Sequence, residues 1–281
     1  MKVCLLFLSL LIIVIFISGC ISQEEKKVAG VGLSSTLTVD VKEVKASTPM
    51  SFILTVKNLA SEAAEDISVH LTNLTDWKIE NEIQRLESLP PNDLYKFSWV
   101  AYAPQQNGIF IPTSNIFYFM KTRANLKIRV YDNEYLNTLK QEERVKIKER
   151  SAVLSYVASK NTPITIQVSL QQPFILTRYK ETFSFVLEIK NVGLGEVYSE
   201  LSTYPPYDGS KDYLTFEFNG NATIECDYES YSLIKLSNNS KNIVCRVIVT
   251  KDELDNYVDF SIDFVTSYKY LDKATTKIEV K

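Results

Sequence analysis

Hydrophobic and polar residues alternate with a period of two along much of the chain after residue 36. In the first half, three such runs put most hydrophobic side chains on one face and polar ones on the other. Successive side chains of a β-strand point to opposite faces of a sheet, so this alternation predicts half-buried strands. The hydrophobic positions are Leu37, Val39 and Val41; Phe52, Leu54 and Val56; and Ile67, Val69 and Leu71.

The second half shows the same pattern in four further runs. Turn-forming residues separate the runs, and no sustained helical period is present, which favours a sandwich of two antiparallel sheets. The hydrophobic positions are Ile164, Ile166, Val168 and Leu170; Phe183, Phe185, Leu187 and Ile189; Leu214, Phe216 and Phe218; and Val258, Phe260, Ile262 and Phe264.

The two halves also resemble each other. The segment Phe52–Asn58 aligns with Phe185–Asn191 at an offset of 133 residues, and Ile128–Val130 aligns with Ile262–Phe264 at an offset of 134. A near-constant offset indicates duplication, and this one is long enough for each copy to enclose its own core. We therefore predict an all-β chain with two tandem Ig-like antiparallel β-sandwiches, over residues 36–150 and 161–281, joined by a linker at 151–160.

The first twenty residues follow a different pattern. Lys2 precedes an apolar run from Val3 to Ile17, which ends in Ile17-Ser18-Gly19-Cys20. A charged start, an apolar middle and small residues before a cleavage point are typical of an exported leader. The last four residues resemble the lipobox of prokaryotic lipoprotein signal peptides, which implies a signal peptide at 1–19 and a two-chain lipid on Cys20. Residues 20–35 are then a tether.

The alternative for this segment is an uncleaved transmembrane helix. The apolar run is slightly shorter than the roughly 20 residues that span a bilayer. Under either interpretation, the remainder of the chain lies outside the cytoplasm.

A second resemblance comes from the strand ends. A strand ending in Lys-Asn, a short polar turn and another alternating strand resembles the CARDB and related Ig-like domains of prokaryotic surface proteins. Asn191-Val192-Gly193 carries this motif best, whereas Asn58-Leu59-Ala60 lacks the glycine. We interpret Asn58 and Asn191 as turn residues, with Gly193 permitting positive φ. The resemblance implies adhesion, surface-layer organisation or spacing within the envelope.

Composition narrows the partners and the redox chemistry. The chain has 31 basic and 34 acidic side chains, and loss of Lys2 with the leader gives a net charge near -4. This balance argues against nucleic acid or an anionic lipid surface as a partner. With Cys4 in the leader and Cys20 lipidated, Cys226 and Cys245 remain as one pair, which predicts a disulfide in an exported protein.

Few residues point to catalysis or metal binding. The single histidine, His70, is expected to be solvated, and neither a G-x-S-x-G elbow nor a P-loop occurs. The acidic group Asp252, Glu253, Asp255 and Asp259 lacks EF-hand spacing, so a solvated turn is preferred over a calcium or catalytic site. We expect no cofactor and no bound metal.

Two further features are candidates for surface contacts. Tyr204 and Tyr207 flank two prolines in a loop that could touch a partner protein or glycan, although these tyrosines could instead cover one end of the sandwich. Asn73, Asn221 and Asn238 begin N-x-S/T sequons and are possible glycan acceptors in an exported chain.

These observations predict a lipid-anchored protein on the extracytoplasmic side of the cell membrane. Its expected role is that of a non-enzymatic structural or interaction module that contacts other envelope proteins or glycans. The alternative is a lipoprotein that binds carbohydrate or processes envelope polysaccharide, for which a deep pocket with converging acidic residues would be the distinguishing feature.

Overall fold

The computed structural model describes residues 30–170, 172–206 and 208–281. The predicted all-β sandwich class is confirmed, since 60% of the residues are in strands and 8% are helical. The strands of the first half are β1 (Leu33–Val39), β2 (Glu43–Val44), β3 (Pro49–Asn58), β4 (Ala64–Thr72), β5 (Lys78–Ile79), β6 (Ile83–Leu89), β7 (Leu94–Tyr102), β8 (Gly108–Phe110) and β9 (Thr113–Asp132). Those of the second half are β10 (Val153–Ala158), β11 (Ile164–Ser169), β12 (Phe174–Leu176), β13 (Lys180–Asn191), β14 (Glu196–Tyr198), β15 (Tyr213–Gly220), β16 (Thr223–Cys226), β17 (Ser232–Lys235), β18 (Ser240–Thr250), β19 (Tyr257–Thr275) and β20 (Ile278–Val280).

Two small sheets repeat the same arrangement. The first has the order β1-β3-β7-β5, and the second has the order β11-β13-β18-β16, with every neighbouring pair antiparallel. The duplicated segments Phe52–Asn58 and Phe185–Asn191 lie in β3 and β13, which hold the same position in the two sheets. The internal repeat of the sequence therefore corresponds to a repeat of structure at this point.

A long central sheet joins the two halves. Its order is β17-β15-β19-β9-β4-β6, and its middle strands β9 and β19 pair along 19 residues, from Tyr257↔Tyr131 to Thr275↔Thr113. Even-numbered residues of β9 are buried along the whole strand. On this face, the Tyr118 hydroxyl accepts a hydrogen bond from Leu33 N of the first small sheet. The Thr122 hydroxyl donates a hydrogen bond to Ile164 O of the second small sheet. Both small sheets thus pack side by side on one face of a shared sheet.

The C-terminal strand returns to the first half of the chain. β20 pairs in parallel with β2 and antiparallel with β8, forming a three-stranded sheet. Ile278 is 0% exposed and Val280 is 2% exposed, so this strand completes the first core. The two predicted sandwiches share their second layer, and the second half contributes β20 to the first, so the two cores are not independent.

Two predicted boundaries need correction. Residues 151–160 are not an unpaired linker, because Val153–Ala158 form β10 and pair with β9. The tether does not extend to residue 35, because β1 begins at Leu33, whose partner is Asn58. Two short helices, α1 (Asn133–Thr138) and α2 (Gln141–Lys148), follow β9.

Candidate functional site

The first candidate region is the junction between the two small sheets, formed by Gly32, residues 58–62, residues 160–163 and residues 191–195. Backbone hydrogen bonds connect these segments. Gly32 N donates to Asn161 O at 2.7 Å, and Leu59 N donates to Gly32 O at 2.9 Å. Ser61 N donates to Lys160 O at 2.9 Å. The described part of the chain therefore begins at this junction, between the two small sheets.

Asn58 organises the first turn of the junction. Its side chain is 0% exposed, its Nδ2 donates to Glu62 O at 2.8 Å and Leu89 O at 2.9 Å, and its Oδ1 accepts from Ala60 N at 3.0 Å. One amide thereby satisfies three backbone groups that a turn would otherwise leave unpaired. The interpretation of Asn58 as a turn residue accounts for each of these bonds.

Asn191 repeats this arrangement in the second half. Its Oδ1 accepts from Gly193 N at 3.1 Å and from the Tyr270 hydroxyl at 3.2 Å, and its Nδ2 donates to Gly195 O at 3.3 Å. Bonds to the second and fourth following residues are common to both turns. The two asparagines are therefore equivalent in structure as well as in sequence.

The prediction that Gly193 is needed for a positive φ is wrong. Gly193 is not among the residues with positive φ, but a Cβ added to it would lie 2.2 Å from Tyr270 Oη and 3.3 Å from Pro163 Cβ. Gly32 has φ +68°, and a Cβ there would lie 2.6 Å from Tyr118 Oη. Gly193 is needed for close approach of the backbone to a buried tyrosine.

Buried tyrosines line the inner face of the central sheet beneath the junction. Tyr268 Oη lies 3.1 Å from Thr122 Oγ1, and burial raises the pKa of Tyr118, Tyr268 and Tyr270. Asp272 lies in the same region, and burial raises the pKa of its carboxyl to about 6. The phenols remain neutral and act as hydrogen-bonding groups of the core.

The second candidate region is the Tyr204 loop, residues 199–206, on the outer face of the central sheet. The Tyr204 ring lies 5.9 Å from the Phe117 ring and 5.6 Å from the His70 ring, and its hydroxyl is 3.1 Å from His70 Nδ1. Burial raises the pKa of Tyr204. The structure thus places Tyr204 against the chain itself, while Tyr207 lies outside the described residues.

The expectation of a solvated His70 is wrong. Its side chain is 24% exposed, and its Nε2 lies 3.5 Å from Glu82 Oε2. His70 does point away from the sandwich core, but the Tyr204 loop of the second half covers that side of β4. A period-two pattern cannot show such a cover, because it comes from a segment more than 100 residues away.

The predicted disulfide is confirmed. Cys226 and Cys245 are bonded, and they lie directly opposite each other on β16 and β18. Cys245 is 0% exposed, whereas Cys226 is partly buried and packs against the core.

The acidic group near residue 252 is divided among separate structural roles. Glu253 accepts from Thr250 N at 3.0 Å in a capping box, and Asp252 bonds the Tyr179 hydroxyl. Asp259 accepts two hydrogen bonds from Arg129, at 2.6 and 2.7 Å. Within the described ranges, no group of three or more metal-ligating side chains is found.

The three sequon asparagines are exposed and lie at turns or strand ends. Asn73 Nδ2 donates to Thr113 Oγ1 at 2.9 Å, and Asn221 Oδ1 accepts from Ser261 N at 2.7 Å. Asn238 has φ +53° in the two-residue turn between β17 and β18, and no hydrogen bond of its side chain is found in the described part of the chain. In this part of the chain, the side chain of Asn238 therefore lacks the kind of hydrogen bond that holds Asn73 and Asn221.

A cleft at the far end of the first half was missed by the sequence analysis. This distal cleft has a volume of about 630 Å³ and opens to solvent between three loops. No motif marks it, because its residues come from positions that are distant in sequence. Its polar and aromatic lining consists of Ser47, Asp76, Lys78, Tyr102, Gln105 and Gln106.

The predicted lipidation site, Cys20, lies outside the described residues. Among residues 30–281, apart from the two undescribed positions, no helix is long and apolar enough to cross a membrane. Gly30, the first described residue, lies beside Leu59 of the junction.

Comparison with known proteins gives weak similarities only. No family model matches the chain, and no curated protein shows significant similarity to it. Among solved structures, the CARDB domain of a Pyrococcus furiosus protein in complex with di-metal ions is 15% identical, with 32% of this chain and 76% of that chain covered and a TM-score of 0.24.

Two further solved structures align over most of the chain. The secreted serine protease VesC from Vibrio cholerae is 11% identical, with 86% of this chain and 50% of that chain covered and a TM-score of 0.24. Red sea bream transglutaminase is 11% identical, with 90% of this chain and 32% of that chain covered and a TM-score of 0.22. This chain spans half the length of the protease and a third of the transglutaminase.

Proposed function

We propose that this protein is a lipid-anchored, non-enzymatic interaction module of the Ig-like type on the extracytoplasmic side of the cell membrane. The observation that carries the proposal is the 19-residue ladder between β9 and β19. This ladder supports the view that the two sandwiches form a single rigid body, because they share one sheet and one continuous core. A rigid body of this kind can hold a contact surface in a fixed orientation.

The position of the junction supports anchoring close to the bilayer. Gly30 lies ten positions after Cys20, and ten fully extended residues span at most about 35 Å. A two-chain lipid on Cys20 would provide stable membrane residence, which a single acyl chain does not. The body would then be held near the surface by its middle, with the ends of both sandwiches free to meet partners.

Replacement of Cys20 tests the anchor. The Cys20→Ser variant is expected to move from the membrane fraction to the soluble extracytoplasmic fraction, and the mass of the wild-type N-terminal peptide should include a lipid. Cys4→Ser is the matched control, because Cys4 lies in the leader and should leave fractionation unchanged. An unmodified Cys20 in a chain that retains Met1 would contradict lipidation and indicate a membrane-spanning leader.

Cross-linking tests the interaction role. Amine-reactive cross-linking of intact cells should join the wild-type protein to other envelope proteins, with adducts mapped to the exposed lysines. A protein that remains free of adducts at all cross-linker concentrations would contradict the proposed role. Envelope glycan is the second candidate partner, and the distal cleft is the observation that favours it.

A further inference from the structure

The walls of the distal cleft are held in place by backbone hydrogen bonds. Ser47 N donates to Ala103 O at 3.0 Å, and Ala103 N donates to Thr48 O at 3.0 Å. Ala46 N donates to Lys281 O at 3.3 Å, so the C-terminal strand supports the same loop. The cleft is therefore a preformed concavity, the usual form of a small-ligand site.

Trp77 fixes the second wall. Its ring is 7% exposed and packs edge-on against Phe52, at 6.0 Å, and Phe110, at 5.7 Å. The neighbours of this tryptophan in sequence are Asp76 and Lys78, which both line the cleft. These two charged side chains consequently extend from a backbone that the core holds firmly.

The polar groups of the cleft are not used by the fold. The side chains of Asp76, Lys78, Gln105 and Gln106 make no hydrogen bond or ion pair within the described part of the chain. A carboxylate supplies acceptors, an ammonium supplies donors, and each amide supplies both. Tyr102 is 43% exposed and adds an aromatic side chain to the same cleft. Donors, acceptors and an apolar ring are therefore available together.

From this combination we propose that the distal cleft binds a neutral saccharide of one or two rings. A sugar ring presents hydroxyl groups that both donate and accept, as well as a C–H face that packs on an aromatic ring. Asp76 and Lys78 carry opposite charges, so the attraction of one for an ionic ligand would be partly cancelled by the repulsion of the other. Both side chains can nevertheless form hydrogen bonds with hydroxyl groups, Asp76 as acceptor and Lys78 as donor. The cleft volume, about 630 Å³, lies within the range of about 300–1,000 Å³ that is typical of small-molecule sites.

The cleft also lies far from the junction. Tyr102 pairs with Pro49 at one end of β3, while Asn58 of the junction is at the other end of this ten-residue strand. At about 3.3 Å per residue, the separation is about 30 Å. The cleft can therefore reach an envelope glycan while the tether remains at the junction.

Saturation-transfer NMR on the full chain, in a detergent without a sugar headgroup, tests the proposal. The probes are glucose, N-acetylglucosamine, maltose and cellobiose at 1–10 mM, with glycine and a Gly-Gly dipeptide as zwitterionic comparators. We expect transfer from at least one saccharide, with a Kd on the order of 1 mM. Absence of transfer from every saccharide, or transfer from the zwitterions alone, would overturn the proposal.

Two variants locate the binding. Tyr102→Ala, and separately the loop variant Gln105→Ala/Gln106→Ala, should each weaken saccharide binding at least fivefold. Tyr95→Ala is the matched control, because Tyr95 lies on the same strand with nearly equal exposure, 42%, but near the junction. Equal weakening by Tyr95→Ala, or full binding by the loop variant, would exclude the cleft. Either failure would leave the proposed anchoring and interaction role intact, since that role rests on Cys20 and the shared sheet.

Discussion

At the scale of single residues, the junction contains one asparagine turn from each half and two glycines that lie against buried tyrosines. Asn58 and Asn191 each place a buried amide where a strand ends. The Tyr118 and Tyr270 hydroxyl groups lie close to the backbone at Gly32 and Gly193, respectively. Removing a partner of a buried polar group costs more than the bond itself is worth, because the remaining group loses its contact with water. Small changes here should therefore have large effects.

Replacement of Asn58 by alanine should lower the free energy of unfolding by about 2–4 kcal/mol. The change would remove the partner of the buried Leu89 carbonyl, of the partly buried Glu62 carbonyl and of the buried Ala60 N–H group. Asn242→Ala is the control, since Asn242 is exposed on β18 and should change stability by less than about 0.5 kcal/mol. Urea unfolding measures both, and equal stability of Asn58→Ala and wild type would contradict this account of the turn.

Gly193→Ala should destabilise the fold by about 1–3 kcal/mol through overpacking against Tyr270. Removing the Tyr270 hydroxyl relieves the closest contact, so the double variant with Tyr270→Phe should lose at least about 0.5 kcal/mol less than the sum of the single losses. Gly108→Ala serves as the control, because its added Cβ would meet Phe110 only at 3.9 Å. Strict additivity in the unfolding measurements would show that the tyrosine is not the source of the strain.

Asp272 should make stability depend on pH. The pKa of this carboxyl is about 6 in the fold and about 3.9 in an unfolded chain. The folded state thus favours the protonated form, whose stabilisation is fully present below about pH 4 and is lost as the pH rises through 6. Because Asp272 is partly exposed, we expect a loss of about 1–2 kcal/mol, below the full linkage value.

The Asp272→Asn variant should match wild type in unfolding at pH 4 and exceed its stability at pH 7.5. Glu229→Gln, a change at an exposed position, should show no such gain. If the difference in stability between Asp272→Asn and wild type were the same at both pH values, the Asp272 carboxyl would not be the group responsible for the pH dependence.

At the scale of elements, the strand β20 completes the core of the first half. Ile278 pairs with Phe110 of β8, and Phe110 packs against Trp77. Ile278→Ala should cost about 2–4 kcal/mol, as expected for truncation of a fully buried side chain. Glu279→Ala, on the exposed side of the same strand, should cost less than about 0.5 kcal/mol. Thermal unfolding followed by tryptophan fluorescence checks both, and a neutral Ile278→Ala would contradict the role of β20.

The strands that the sequence predicted are those whose two faces differ in polarity. β3 and β13 follow period two because one side is core and the other is solvent. By contrast, β10 is largely exposed and β20 has only three residues, so neither gives a pattern that sets it apart from a loop. The pairing of β9 with β19 was also missed, because alternation indicates which face is buried but not which strand is the neighbour.

The candidate sites differ in the same way. The disulfide could be predicted because Cys226 and Cys245 are the only cysteines left after the leader and the lipidation site. The asparagine turns could be predicted because an asparagine at a strand end commonly bonds the backbone of the following turn. The cover over His70 and the distal cleft depend on contacts between distant segments, such as Ser47 with Ala103. Chemistry of that kind has no local sequence signature.

At the scale of the whole molecule, the shared sheet should make unfolding cooperative across both halves. Both tryptophans, Trp77 and Trp99, lie in the first half, whereas the disulfide lies in the second. The Cys226→Ala/Cys245→Ala variant should lose about 3 kcal/mol. The tryptophan fluorescence transition and the far-UV circular dichroism transition should shift together.

A fluorescence transition that stayed in place while the circular dichroism transition moved would show that the halves unfold independently. Wild-type protein treated with a reductant is the matched control, because it removes the same bond without changing the sequence.

The position of Gly30 at the junction also has a mechanical consequence. A pull on the preceding chain enters β1 at Leu33, and a load on the distal cleft enters the neighbouring β3 at its opposite end. The two forces act along antiparallel strands in opposite directions, so all seven residue pairs from Leu33 to Val39 resist at once by shear. A tether attached at the other end of β1 would instead open these pairs one by one, and the attachment would yield at a far smaller force.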